Sequence, residues 1–179
     1  MATGTGDFAM EALKLNPDRV VGLDLSEDML QYGRIKAKKK GVDSIVEFVK
    51  GDSEDLQFED NTFDAMTVGF GVRNFENLEK GLSEMLRVLK PGGKLVVLEI
   101  SKPRSFPFKQ IFKVYFHYVC PLIGRVFSKD HRAYTYLPES VEAFPSGKKF
   151  TGILEKVGYK KAEWTPLTFG ICAMYTCEK

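Results

Sequence analysis

Four short loops carry the residue types that could hold a nucleoside. The first, ATGTGD at positions 2–7, sets Gly4 and Gly6 immediately ahead of a helix start. Glycines let a backbone come close to a ligand, and a helix N-terminus favours anionic or polar groups. A pyrophosphate suits such a loop, but a plain tight turn has the same composition, so the loop alone is weak evidence. The second is Asp24, which closes the apolar run RVVGLDL eighteen residues after Gly6. A carboxylate there accepts two hydrogen bonds from a ribose diol, near the spacing of about 20 residues found in dinucleotide sites. Capping the next helix is its structural alternative, and Ser26 is better placed for that. The third is GDSED, in which Asp52 can accept from an adenine amino group while Ser53 offers its backbone amide to the ring. A solvated acidic turn is nearly as ordinary a use of those residues. The fourth, GFGVRN, has Gly69 and Gly71 to open space beside a ligand and Arg73 and Asn74 as donors. In isolation an arginine there would more often be a surface ion-pair residue.

The order and spacing of the four loops agree where each alone does not decide. The set specifies a nucleoside in a crevice. There is no GxxxxGK[ST] for a triphosphate, and the third glycine of the dinucleotide fingerprint is missing. That shifts the choice from NAD toward S-adenosylmethionine, in which a single sulfonium replaces the pyrophosphate. A hydride-transferring enzyme would be the competing chemical class.

The elements that must position these loops alternate between strand and helix patterns, the signature of a mostly parallel sheet covered by helices. DFAMEALKL reads as a short helix ended by Pro17, RVVGLDL as a buried strand, and EDMLQYGRIKAKKK as a helix capped by Ser26 and stopped by Gly41. SIVEFVK and TFDAMTVGF are further strands. Leu78, Leu82, Met85, Leu86 and Leu89 recur at helical spacing, and LKPGGK is expected to end that helix before the strand LVVLEIS. Phe150, Ile153, Leu154 and Val157 form another helical stripe. KKAEWTPLTF and GICAMYTCE close the chain as an antiparallel hairpin. Between about 103 and 144 lies an aromatic-rich insertion that the alternation does not require. It follows the fifth strand, where it is placed to cover a ligand at the carboxyl ends of the strands.

Composition narrows the class. The 179 residues, 44% apolar and 28% charged, read as one soluble globular domain over 1–179. A formal charge of +2, no basic stripe and no Asn/Asp-Pro-Pro-aromatic loop in the GFGVRN position argue against nucleic acid. Cys120, Cys172 and Cys177 are scattered and odd in number, which fits a reducing, cytoplasmic setting better than a disulfide framework, and no metal-ligand cluster stands out. The longest apolar stretch, Val114 to Gly124, is about half the length of a membrane span. There is no signal peptide.

RVLKPGGKLVVLE sits where a class I methyltransferase of Rossmann-like fold has its fifth strand. Together, ATGTGD, LDLSEDML, GDSEDLQFEDNTFD, GFGVRN, RVLKPGGKLVVLEISKP and AYTYLPESV resemble the ubiquinone/menaquinone biosynthesis C-methyltransferases, and among them the bacterial demethylmenaquinone methyltransferases. The likeness runs from residue 2 to the C-terminus. It implies S-adenosylmethionine as cofactor and methylation of a ring carbon of a prenylated quinol, most simply 2-demethylmenaquinol to menaquinol. Another small-molecule methyltransferase of the same class is the alternative; a fragment without activity is a second one. By resemblance, Thr5 and Asp24 hold the methionine and ribose end, Asp52 and Ser53 hold the adenine, and Arg73 and Asn74 lie beside the methyl acceptor. His131 and Arg132 are expected at the acceptor pocket on the same ground.

A quinol carbon becomes nucleophilic when a neighbouring hydroxyl, with a pKa of about 10, loses its proton. Arg73 is expected to stabilise the phenolate and Asn74 to orient the hydroxyl, with a carboxylate or a water taking the proton and His117 a weaker candidate. Phe106, Phe108, Phe112, Tyr115, Phe116 and Tyr118 would wall a polyprenyl tail, or else pack as an ordinary core helix. Lys102, Arg104, Lys109, Lys113 and Arg125 offer charges for peripheral contact with anionic headgroups, or simply for solubility. Family members carry a first, central strand ahead of ATGTGD, and here that first strand is missing. Three outcomes are expected: its neighbours close the gap, a second chain fills it in a homo-oligomer, or the fold loosens.

Overall fold

The computed structural model describes residues 1–103, 105–115, 119 and 131–179, without the side chains of residues 131–135. Arg104, Phe116, His117, Tyr118, Cys120 and Arg125 therefore lie outside the described residues, as do the side chains of His131 and Arg132.

Local signals set most element ends. Helix α1 (Asp7–Ala12) starts after Gly6, whose φ of 82° is left-handed. Strand β1 spans Val20–Asp24 and helix α2 spans Glu27–Lys40. The Ser26 hydroxyl accepts from the Met29 amide, Glu27 and Asp28 occupy the first turn, Lys38 to Lys40 the last, and Gly41 stops the helix at φ 66°. Strands β2 (Val46–Lys50) and β3 (Phe63–Gly69) follow. Helix α3 (Leu78–Val88) is capped by Asn77, whose Oδ1 accepts from the Lys80 amide. Strand β4 covers Leu89–Ile100. Helices α4 (Phe108–Val114) and α5 (His131–Ala143) belong to the insertion. Helix α6 (Lys148–Val157) then leads to the hairpin of β5 (Lys160–Leu167) and β6 (Cys172–Glu178).

LKPGGK departs from expectation. It does not separate helix from strand but is part of β4, which begins at Leu89 directly after the helix. Phe63 pairs with Leu89 and Ala65 with Lys94, so Asp64 alone stands opposite residues 90–93, which bulge out. Gly92 turns at φ 77°, and a Cβ on Gly93 would sit 2.8 Å from the Lys90 carbonyl oxygen. The two glycines thus permit a bulge inside a strand.

The strands form two sheets. In the larger, the order is β3-β4-β6-β5, with β3 and β4 parallel and β6 antiparallel to both β4 and β5. Leu82, Met85 and Val88 of α3 and Phe150 and Leu154 of α6 pack on Val68, Leu95, Val97 and Tyr175 in one buried cluster. The smaller sheet is the parallel pair β1-β2, with its own cluster of Ala9, Met10, Leu30, Ala37, Val46 and Phe48. Strands β1 and β3 do not pair. Between them lies a cavity of about 320 Å³ lined by Val20, Val21, Leu23, Phe63, Met66 and other residues. Residues 1–3 run between these two strands: the Met1 ammonium donates to the Thr67 carbonyl and the Thr3 amide to the Leu23 carbonyl, both at 2.9 Å.

Candidate active site

The carboxyl ends of β1, β2 and β3 point their loops into one cleft of about 400 Å³, where Asp24, Asp52, Ser53 and Asn74 meet beside Phe70 and Phe75. Four residues singled out by their loops are thereby brought together from separate strands.

Asp24 is the hinge of this arrangement. Its Oδ2 accepts from the Gly4 amide at 2.7 Å and its Oδ1 from the Ser26 amide at 3.0 Å. One carboxylate therefore ties the glycine loop to the entry of α2, while Ser26 itself caps the helix. Each oxygen keeps a lone pair for a further donor such as a ribose hydroxyl. Asp52 accepts from the Glu54 amide at 2.8 Å, a side chain-to-backbone turn that holds the acidic loop in shape. Ser53 is buried.

That loop is fastened from behind by Arg87 on α3. Its Nη1 donates to the Phe58 carbonyl and to Asp60, its Nη2 to the Leu56 carbonyl and to Glu84, and its Nε to Glu84, each at 2.8 Å. Glu84 also accepts from the Leu56 amide, and the hydrogen bond from Arg87 is the main reason its carboxyl lies below the usual range. Glu54, at the cleft, accepts from the Asn77 amide and so joins the loop to the cap of α3.

Other anticipated residues have structural partners of their own, and of them Gly71 also lines the cleft. The Thr5 hydroxyl accepts from Lys36 at 2.9 Å and donates to Asp7 at 3.2 Å, and Lys36 holds the Asp7 carboxyl below its usual range. Gly6 makes room for Phe48, since a Cβ there would come within 2.5 Å of that ring. Gly69 likewise makes room for Phe8 and Gly71 for Ala2, since a Cβ on either would come within 2.4 Å of that side chain. Close helix and strand approach, as much as ligand access, requires these glycines. Gly4, at φ 54°, has open space around it.

Arg73 and Asn74 lie on a short 3-10 turn, Val72–Asn74, after β3. The Arg73 Nη1 donates to Glu99 Oε1 and to the Phe70 carbonyl, both at 2.6 Å. Asn74 faces the cleft and its Oδ1 accepts from the Tyr136 hydroxyl at 3.0 Å. Neither Glu99 nor Tyr136 stood out in the sequence. Glu99 is hidden inside the strand run LVVLEIS, where its one clue is a carboxylate in an apolar stretch.

The insertion turns apolar side chains outward. Phe106 is 81% exposed, and Ile111, Val114 and Tyr115 are exposed as well, so the described part of α4 is not an ordinary core helix. Phe108 stacks on Phe169 with centroids 4.2 Å apart. Pro103, Phe112, Pro138 and Val141 line a cavity of about 600 Å³ between α4 and α5, with Lys102 at its edge. No helix among the described residues is long and apolar enough to cross a membrane, and no cluster of potential metal ligands occurs among them.

Comparison with known proteins agrees with this geometry. The model of the ubiE/COQ5 methyltransferase family matches residues 1–179. The demethylmenaquinone methyltransferase of Bacteroides fragilis is 49% identical over 180 residues, covering 100% of this chain and 74% of that protein. The ubiquinone/menaquinone biosynthesis C-methyltransferase UbiE of Geobacter sulfurreducens is 45% identical over 181 residues, covering 100% and 70%. Among solved structures, an S-adenosylmethionine-dependent methyltransferase from Aquifex aeolicus superposes with a TM-score of 0.68 at 20% identity, over 99% of this chain and 78% of that one, a likeness of fold.

Proposed function

The chain belongs to the ubiE/COQ5 methyltransferase family, and on that premise we propose that it methylates a ring carbon of a prenylated quinol, converting 2-demethylmenaquinol to menaquinol. It is an S-adenosylmethionine-dependent C-methyltransferase by family and fold. The observation that carries the substrate reading is the junction of a nucleoside cleft with an Arg73–Asn74 donor pair on the same turn.

The cleft residues fit the cofactor by chemistry. Asp24 and Asp52 are acceptors for ribose hydroxyls and an adenine amino group, Phe70 and Phe75 offer apolar walls, and Ser53 offers a buried backbone amide. When bound, S-adenosylmethionine supplies an electrophilic methyl group on its sulfonium. The protein's part is to make the ring carbon nucleophilic and to align it. Arg73 places a positive charge where a ring oxygen ionises, which favours the phenolate. Because Tyr136 occupies Asn74 Oδ1, the Asn74 amide nitrogen is the group left to donate to a ring oxygen. Holding carbon, methyl and sulfur in line supplies much of the remaining acceleration.

Helix α5 carries both Tyr136, on Asn74, and Pro138 and Val141, on the apolar cavity beside Phe112. A ring at Asn74 would therefore have its prenyl tail led into that cavity, and the exposed Phe106, Ile111 and Val114 suit contact at a membrane surface.

The test is calorimetric titration with S-adenosylhomocysteine, followed by transfer of a labelled methyl group to demethylmenaquinol. Saturable binding and a labelled quinol are expected. Binding with label passing only to simple phenols would replace the quinol by another acceptor.

A further inference from the structure

Glu99 is the most deeply buried charged side chain near the donor pair, with 0% exposure at the end of β4. Its Oε1 accepts from Arg73 Nη1 at 2.6 Å and from the Ile100 amide at 2.8 Å, and its Oε2 accepts from the Arg73 backbone amide at 3.3 Å. The Phe70 carbonyl takes the second contact of Nη1. Arg73 is itself only 12% exposed, yet its Nε is buried and has no partner, and no described residue accepts from Nη2. One corner of the guanidinium is thus held by two acceptors, Glu99 Oε1 and the Phe70 carbonyl, while no described residue accepts from the adjoining Nε–Nη2 edge. Such an edge matches one oxygen anion with two parallel donors. A buried donor without an acceptor is costly, which is tolerable where a ligand completes it.

We propose that Glu99 is a positioning residue for methyl transfer: it turns Arg73 so that the Nε–Nη2 edge receives the ionised oxygen of the acceptor ring. The inference rests on the quinol reading for the identity of that ring, but not for the geometry. It also assigns Glu99 no part in removing the proton, since the carboxylate is closed off behind Arg73. The titratable groups around the pair are Cys172 on β6, whose thiol is pushed up by burial and by Glu99, and Tyr136 on α5, which reaches it through Asn74.

Two variants separate geometry from charge. Glu99→Asp keeps the charge but retracts the carboxylate by about 1.5 Å. The guanidinium follows, and kcat is expected to fall about tenfold to a hundredfold with KM nearly unchanged. Glu99→Gln keeps the reach but leaves Arg73 uncompensated. The acid limb of the kcat profile, which reports ionisation in the enzyme–substrate complex, should then move down by about one pH unit, because the extra positive charge favours the ionised ring oxygen. Thermal melting and S-adenosylhomocysteine binding confirm that each variant is folded. A purely structural Glu99 would lower activity without moving the pH limb, and that result, or two variants within twofold of the parent, overturns the proposal.

A second readout needs no turnover. The absorbance of bound 1-naphthol reports its ionisation, and its apparent pKa should be lowered in the parent protein, lowered further in Glu99→Gln and restored in Arg73→Lys, which lacks the two-donor edge. If demethylmenaquinol is not methylated but the naphthol series behaves so, the quinol reading fails and the positioning role stands. A naphthol pKa indifferent to Glu99 sinks the role whatever the acceptor.

Discussion

The two sheets are held by different means, although the active-site cleft needs both. In the larger one, β4 is paired along both edges, and its cluster runs through two helices and the strands of that sheet and takes in Leu23 of β1. The smaller one has a single pairing, from Val20↔Val46 to Asp24↔Lys50, and a cluster of six buried residues. Its cohesion comes from one ring: Phe48 lies where a Cβ on Gly6, Gly22 or Gly33 would come within 3 Å. Asp24 belongs to the smaller half and Asn74 to the larger, and the cleft is lined from both. The comparison teaches that the binding residues stand on supports of unequal strength.

Breaking the weaker support should have the largest effect. Phe48→Ala removes the ring that three glycines accommodate and is expected to cost about 3–5 kcal/mol. Hydrogen exchange should show β1 and β2 opening while the amides of β4 stay protected; equal loss in both would show that the two halves unfold as one. Next comes the tether on the stronger side. Arg87→Ala strips three hydrogen bonds from the loop that holds Asp52 and Ser53, and two more from Glu84 on its own helix, and should cost about 2 kcal/mol. The same change has a pH signature. Arg87 holds the Glu84 carboxyl below its ordinary 4.5, so that contribution is complete above pH 4.5 and is lost as pH falls through the lowered value. Denaturant titrations of parent and variant should therefore converge in acid.

A smaller effect is expected at the join. Asp24→Asn removes the charge that holds the Gly4 and Ser26 amides, and S-adenosylhomocysteine affinity should fall about tenfold in calorimetry with little loss of melting temperature. The smallest effect concerns chemistry rather than stability. Burial pushes the Cys177 thiol up to about 12, whereas Cys172 is only half-buried. Alkylation at pH 8 followed by peptide mapping should label Cys172 slowly and Cys177 hardly at all.

Much of this architecture is legible along the chain because its signals are local. Ser26, Gly41 and Gly158 mark helix ends through contacts within a few residues, and the α6 stripe of Phe150 and Leu154 faces the core as its period requires. Asp24, Asp52, Ser53 and Asn74 could be picked out because each lies at or just after the carboxyl end of a strand, and the ends of β1, β2 and β3 converge on one cleft. LKPGGK misleads because proline and glycine signal both a turn and a bulge, and only the pairing of Phe63 with Leu89 distinguishes them. The glycines of GFGVRN carry a second role that no local pattern shows: their closeness to Phe8 and Ala2 depends on chain segments that meet in three dimensions.

The sequence by itself determined the alternation of elements, the caps and the four loops, because periodicity and backbone conformation act over a few residues. Only the tertiary structure decided how the donor pair is aimed. Glu99 lies 26 residues from Arg73 and Tyr136 lies 62 from Asn74, and no local rule links them. The parallel register that sets Gly69 against Leu98 brings the turn after β3 alongside the end of β4, and burial there makes the pairing of Arg73 with Glu99 obligatory.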